Sequence, residues 1–286
     1  MGGTSATTGI YHSEAGATVV RERYEQQLDA WPVPVQRYRI ATGHGTTAVL
    51  TCGDPTGSPL VLLHGSGANS AVWRDGVELL AATRRVLLVD LLGEPGLSDP
   101  VRLDLTTPAT ADWLAGILDE FEIGATDIAG ISLGGWTATD FATRHPGRVN
   151  RLALVCPAGI GDQTFRKVAP AFLLSAFGSR GRRRSAEIVT GLDGHEHPEV
   201  LDEICLLFEH FRPRTARFPL FDDAALSRLT MPMLALLGER DRVFDPVRTR
   251  ERLVRLCPDA RVELVPGAGH AVLGQVPRIV RFLDEP

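Results

Sequence analysis

From residue 60 onward, short apolar runs alternate with longer segments of helical periodicity. The runs at 60–63, 86–89, 127–129, 151–155, 233–237 and 261–265 have the length of buried strands. The segments at 69–83, 110–121, 133–144, 246–256 and 273–283 carry apolar residues at three- to four-residue spacing. Continuous apolar strands separated by helices predict an α/β fold whose mostly parallel sheet is covered on both faces. Upstream, Ser13 can cap a helix that reaches residue 30, with Val19, Val20, Tyr24 and Leu28 on one face, and Trp31-Pro32-Val33-Pro34 ends it. Residues 35–40 and 46–51 alternate as a hairpin around Gly43-His44-Gly45. The alternation breaks after Pro157: residues 160–225 hold helical, apolar and basic pieces without a strand pattern, which predicts a helical cap inserted into the core. The expected organisation is a flexible tail over 1–12, a core in two parts at 13–159 and 226–286, and the cap at 160–225.

Composition narrows the partners. Hydrophobic residues make up 44% and charged residues 23% of the 286, which is globular and argues against disorder. The net charge of −5 supplies no basic field for nucleic acid or an anionic membrane. The cysteines (Cys52, Cys156, Cys205, Cys257) are scattered without a CxxC pair, so neither a metal site nor a disulfide framework is expected; Cys156 and Cys205 read as buried, reduced core residues. His195-Glu196-His197 places two histidines in a Gly/Pro-rich segment with no third ligand, which also argues against a metal. No signal-peptide pattern is visible, Ala6 departs from an acylation site at Gly2, and no apolar run is long enough to span a bilayer. A cytoplasmic monomer or homodimer with no membrane partner is the expectation.

The chemistry concentrates at strand ends. Gly130-Ile131-Ser132-Leu133-Gly134 reads as strand, sharp turn and helix, with glycines two before and two after the serine where the turn is crowded. Such a turn exposes the Ser132 hydroxyl and leaves the Leu133 N–H at a helix N-terminus, where it can meet an oxyanion. Taken alone, it could equally be a glycine-rich turn holding a solvated serine. Three further residues follow predicted strands: His64 in His64-Gly65-Ser66-Gly67, Asp241 after Gly238-Glu239-Arg240, and His270 after Pro266-Gly267-Ala268-Gly269. Each has an ordinary reading as a loop or capping residue, and Asp245 competes with Asp241. Together, the order Ser132, Asp241, His270 behind strands points to nucleophile, orienting carboxylate and general base. The His64 loop offers a second oxyanion donor, Ser66 as first choice and Gly67 as second, with His64 supporting the loop.

The chain resembles the α/β-hydrolase superfamily over nearly its whole length after residue 13, and is most similar to bacterial carboxylesterase-like members with an N-terminal helix. The matching pieces are Trp31-Pro-Val-Pro34, Pro59-Leu-Val-Leu-Leu-His-Gly65, Asp90-Leu-Leu-Gly93 with Gly96-Leu-Ser98, Gly130-Ile-Ser-Leu-Gly-Gly135, Gly238-Glu-Arg-Asp241 and Gly267-Ala-Gly-His270. The resemblance implies an eight-stranded sheet and a Ser132–His270–Asp241 triad that needs no cofactor or metal. It implies cleavage of a small-molecule carboxylic ester or related acyl substrate through an acyl-enzyme. A C–C hydrolase, lactonase, thioesterase or natural-product cyclase could use the same triad, and a non-catalytic ligand-binding fold is the reading from another class. Ser132 argues against dehalogenase and epoxide-hydrolase chemistry, which place Asp at the elbow.

Some residues carry two readings. Glu94 departs from the plainer Pro/Gly loop of many relatives and reads as a solvated carboxylate, with a pocket-rim position as the alternative. In the cap, Phe165, Phe172, Leu173, Leu174, Phe177, Leu206, Leu207, Phe208 and Phe211 read mostly as core, with some roofing an apolar pocket. The Arg180–184 run reads as a solvated turn, and attraction of an acidic substrate is the sharper alternative. Trp136 and Trp73 read as packing residues, Trp73 near the His64 loop.

Overall fold

The computed structural model describes residues 9–175 and 177–285. Residues 1–8, with the near-match to an acylation site, lie outside the described residues, as do the side chains of Phe165 and Phe172. In chain order the elements are α1 (Glu14–Asp29), β1 (Gln36–Thr42), β2 (Gly45–Gly53), β3 (Ser58–Leu63), α2 (Val77–Ala81), β4 (Arg84–Val89), α3 (Ala109–Glu120), β5 (Thr126–Ile131), α4 (Leu133–Arg144), β6 (Val149–Val155), α5 (Phe165–Leu174), α6 (Gly178–Thr190), α7 (Pro198–His210), α8 (Asp223–Leu226), β7 (Met233–Gly238), α9 (Pro246–Leu256), β8 (Arg261–Val265) and α10 (Val276–Leu283).

The strands form one eight-stranded sheet in the order β1-β2-β4-β3-β5-β6-β7-β8. The β1–β2 and β2–β4 pairs are antiparallel, and every pair from β4 to β8 is parallel. Central strands are apolar on both faces because each face is covered. Val61, Leu63, Leu87 and Val89 point into one core with Trp113 and Leu114 of α3, Phe141 of α4 and Leu253 of α9. Their neighbours Leu60, Leu62, Val86 and Leu88 point into the other, with Tyr24 and Leu28 of α1, Leu80 of α2 and Phe282 of α10. The chain runs outward from β3 to β4 and then returns to place β5 on the other side of β3. The carboxyl ends of β3 and β5 therefore flank the point where the strand order reverses, where open α/β sheets make their crevice.

Helices α5, α6 and α7 are inserted between β6 and β7. Ile160, Phe221 and Leu226 pack in the first core, so the chain on either side of these helices belongs to the sheet layer.

Several local expectations change. Residues 9–12, read as part of a flexible tail, are docked: Ile10 and Tyr11 are buried, Tyr11 bridges Phe211, and the His12 and Arg212 N–H groups donate to His210 and Ile10 carbonyls. Two apolar side chains flanking a backbone bridge offset the ordering cost of this short segment. The helix expected over 69–83 is split into a 3-10 turn at Ser70–Trp73 and α2, because Gly76 adopts φ 105° and a Cβ there would sit 2.8 Å from Val276. The Arg180–184 run is helical rather than a turn, and Arg182, Arg183 and Arg184 pair with Glu209, Asp202 and Glu187. Cys205 is half-buried rather than core. Of the cap residues read as core, Leu207 and Phe211 are buried, but Leu173 and Phe177, at the α5–α6 corner, are more than two-thirds exposed.

Candidate active site

Ser132 stands between β5 and α4 with φ 53° and ψ −108°, a conformation that a non-glycine residue keeps only when its surroundings hold it. Three backbone hydrogen bonds do so: its N–H donates to Val155 O at 2.9 Å, and its carbonyl accepts from Trp136 N–H at 2.9 Å and Ala158 N–H at 3.2 Å. The flanking glycines are steric requirements. A Cβ on Gly130 would lie 2.4 Å from Gly134 O, and one on Gly134 would lie 2.3 Å from Leu63 O at the end of β3. The turn can therefore close only without a side chain at Gly130, and press against the end of β3 only without one at Gly134. Gly134→Ala is expected to push α4 from β3 and to destabilise the fold by about 1–3 kcal/mol, read as a lower urea midpoint.

The structure brings Ser132, His270 and Asp241 together from three loops. Ser132 Oγ lies 3.1 Å from His270 Nε2, and His270 Nδ1 lies 2.8 Å from Asp241 Oδ2. Asp241 is buried, and its Oδ1 accepts from the Val243 and Phe244 N–H groups at 2.7 and 3.1 Å, so its second oxygen is presented to the ring. Asp245, the competing carboxylate, instead caps α9 by accepting from the Val247 and Arg248 N–H groups. Burial presses the His270 imidazolium toward neutrality, but the Asp241 carboxylate and its hydrogen bond outweigh this and the pKa of His270 is raised. Burial likewise acts to raise Asp241, yet the adjacent imidazole and the three hydrogen bonds leave its pKa lowered. Both shifts favour the imidazolium–carboxylate pair, the state created when the ring takes a proton from Ser132.

His64 is fully buried and serves the loop. Its Nε2 accepts from the Leu91 N–H at 2.9 Å, which leaves Nδ1–H to donate to Gly65 O at 2.8 Å. Burial lowers its pKa and keeps it neutral. The two expected loop donors differ. Gly67 N–H is committed to Glu94 Oε2 at 2.7 Å, while Ser66 N–H has no protein acceptor among the described residues. Leu133 opens α4, and no intrahelical acceptor exists for the N–H of a first helical residue. Ser66 and Leu133 thus offer backbone donors from the ends of β3 and β5. Phe208 of α7 lies over Gly67, where a Cβ would meet its ring at 2.9 Å. A cleft of about 520 Å³ adjoins His270, bounded by Leu192 after α6 and by Arg240 and Arg242 on the loop after β7.

Three features escaped the sequence pattern. Glu94 is fully buried, not solvated, and bonds Ser66, Gly67 and Arg214. Asp90 is buried and ties α1 to this region, accepting from Tyr24 Oη at 3.0 Å, Ser70 Oγ at 2.6 Å and the Leu97 N–H at 2.9 Å. Cys156, at the end of β6, adopts φ 43° and its Sγ accepts from the Gly238 N–H at 3.3 Å. Its thiol sits within 4.8 Å of the donor atoms of Asp241 and His270, the one grouping of three metal-ligating types among the described residues. His270 already engages Asp241 and Ser132 through its two nitrogens, so ligation through either one would cost the hydrogen bond which that nitrogen makes. Trp136 packs as expected, stacked on Phe221 with its indole N–H on Pro219 O, and Trp73 is buried in the second core.

Residues 60–281 match the family described as Alpha/beta hydrolase family. Carboxylesterase YbfK of Bacillus subtilis (strain 168) is 27% identical over 266 residues, covering 91% of this chain and 90% of that protein. The uncharacterized carboxylesterase nap of the same organism is 28% identical over 278 residues, covering 92% and 91%. The crystal structure of naproxen esterase (carboxylesterase NP) from Bacillus subtilis superposes with a TM-score of 0.81 at 27% identity, over 96% of this chain and all of that one.

Proposed function

This chain belongs to the alpha/beta hydrolase family, and from that premise we propose that it is a serine esterase that cleaves a small carboxylic ester through an acyl-enzyme. The observation that carries the reading is the unbroken path from Ser132 Oγ through His270 to Asp241, at 3.1 and 2.8 Å. The similarity to bacterial carboxylesterases over about nine-tenths of both chains supports the ester as substrate.

In the proposed reaction Ser132 Oγ attacks the ester carbonyl while His270 Nε2 takes its proton. The negative oxygen of the tetrahedral intermediate accepts from the Ser66 and Leu133 N–H groups. The imidazolium, stabilised by Asp241, returns its proton to the leaving alkoxide, and the alcohol departs. A water then attacks the acyl-enzyme, with His270 as base, and releases the acid and free Ser132. Every step uses side-chain and backbone groups of this chain, and none draws on a cofactor.

A chromogenic aryl ester of a short acid, together with fluorophosphonate labelling, tests the reading. Turnover accompanied by stoichiometric labelling at Ser132 is the expected outcome; turnover with no label on Ser132 would remove the serine from the mechanism.

The pH dependence follows from His270. The protonated ring cannot accept the Ser132 proton, so kcat/KM falls as pH drops through the pKa of the folded enzyme. Asp241 raises that pKa, so the acid limb is expected above the ordinary histidine value of about 6.5, and Asp241→Asn is expected to move it downward. A wild-type limb at or below that value, with chemistry rate-limiting, contradicts the assignment.

A further inference from the structure

Glu94 takes no part in the reaction proposed above, yet its side chain is wholly buried beside the oxyanion loop. Oε2 accepts from the Gly67 N–H at 2.7 Å and from Ser66 Oγ at 3.1 Å. Oε1 accepts from Arg214 Nε at 3.2 Å, and Arg214, largely buried itself, also donates from Nη1 to Leu103 O at 3.3 Å. A carboxylate removed from water in this way is tolerated only because each oxygen has a donor and a guanidinium balances the charge.

The bonds fall on both sides of one residue. The Gly65–Ser66 peptide is held at its oxygen by His64 Nδ1–H. The Ser66–Gly67 peptide is held at its nitrogen by Glu94. With its neighbouring peptides fixed and its hydroxyl also on Glu94, Ser66 keeps one donor unengaged among the described residues, its backbone N–H, on the loop beside Ser132. A Cβ on Gly65 would lie 3.5 Å from Ser132 Cβ, which measures how near that loop runs to the nucleophile. A donor preorganised toward the position of a developing charge is worth more than one that must reorient when the charge appears. Hydrogen bonds to a carboxylate are the stronger kind with which to hold it.

A carboxylate is a costly choice here, since its charge opposes a nearby oxyanion. Arg214 answers that cost: its guanidinium lies on the oxygen turned away from the loop, so the pair presents one oxygen, Oε2, to both loop donors with little net charge. Arg102 also feels the Glu94 charge and donates to Gly93 O at 3.4 Å, adding a second cation to the surroundings of the carboxylate.

We propose that Glu94, charge-balanced by Arg214, is a positioning residue that clamps the Ser66–Gly67 peptide and so aims the Ser66 N–H at the oxyanion of the transition state. The proposal rests on the serine-esterase reading. Because Arg214 lies between α7 and α8, in the segment that leaves the inserted helices, the same pair also joins that insertion to the oxyanion loop.

The test compares variants on a neutral aryl ester and measures their affinity for an aryl boronic acid, which forms a tetrahedral adduct with an active serine. Glu94→Ala is expected to lower kcat by about 30- to 100-fold, as for a displaced catalytic group, with KM within about threefold and boronate affinity falling in parallel with kcat. The double variant Glu94→Gln with Arg214→Gln is expected to recover kcat to within about fivefold of wild type. One amide oxygen can then accept from Gly67, and its nitrogen can donate to the second amide, introduced in place of the guanidinium. Equal losses in the two variants, or unchanged kcat and boronate affinity in folded Glu94→Ala, overturn the proposal. Should Glu94→Ala fail to fold, Arg214→Gln alone decides. It keeps the carboxylate's bonds to the loop but strips the balancing charge, so boronate affinity is expected to fall by at least about threefold at constant KM, and no change overturns the proposal. Fluorophosphonate labelling of Ser132 in the wild type separates a failure of this proposal from a failure of the serine-esterase reading.

Discussion

Ser132→Ala is expected to lower kcat on a short-chain aryl ester by about 10⁶-fold, leaving only what the oxyanion donors and substrate binding supply. The effect should be confined to chemistry. Ser132 Oγ makes its hydrogen bond to His270, whereas the strained elbow is held by backbone bonds to Val155, Trp136 and Ala158 that alanine retains. Unfolding midpoint and KM should therefore stay close to those of the wild type, and fluorophosphonate labelling should disappear. A variant retaining more than about a tenth of wild-type kcat would show that another group attacks the carbonyl, since one lost nucleophile of this kind costs several orders of magnitude.

Asp241→Asn is the second large effect, and here the geometry dictates which way the new amide points. Oδ1 of Asp241 accepts two backbone N–H groups, from Val243 and Phe244. The asparagine oxygen must take that place, because an amide NH₂ there would face two donors and leave all of them unpaired. Its NH₂ is thus turned to His270 Nδ1. The ring must then accept at Nδ1 and carry its proton on Nε2, the nitrogen that faces Ser132. It can no longer accept the serine proton. The loss expected from a wrong tautomer is about 10⁴-fold in kcat, with little change in stability. Steady-state kinetics with and without a rise in pH measure it; a loss below about tenfold would mean that Asp241 does not set the tautomer.

How much of this was legible depends on the range of the interactions. The elbow was readable because its requirements are local in sequence: Gly130 and Gly134 flank Ser132, and the clash each glycine avoids lies within the turn or at the adjoining strand end. The sheet was readable for the same reason, since a strand covered on both faces must be apolar at every position. The sequence favours Asp241 over Asp245, the weaker candidate, but shows no contact for either. Both follow β7 and precede Pro246, and only the fold shows one against His270 and the other on the end of α9. Glu94 was misread because an isolated carboxylate in a Gly/Pro loop is normally solvated, and its cation stands 120 residues away in sequence. Tyr11 and the 9–12 segment were misread because the surface that buries them belongs to Phe211 and α7. Arg182 and Arg183 find their acids on the neighbouring helix, so a basic run that looked solvated is largely paired.

By itself the sequence determined the α/β layering, the serine elbow, the order of serine, aspartate and histidine, and the glycine-bearing loop after β3. Each follows from periodicity or from steric limits within a few residues. Only the tertiary structure set Asp241 against the histidine and Asp245 on the end of α9, left the Ser66 N–H unengaged among the described residues while committing that of Gly67, and buried Glu94 against that loop. Those outcomes depend on distances between segments far apart in the chain, and such distances are set by how helices and loops pack on the sheet rather than by any local preference.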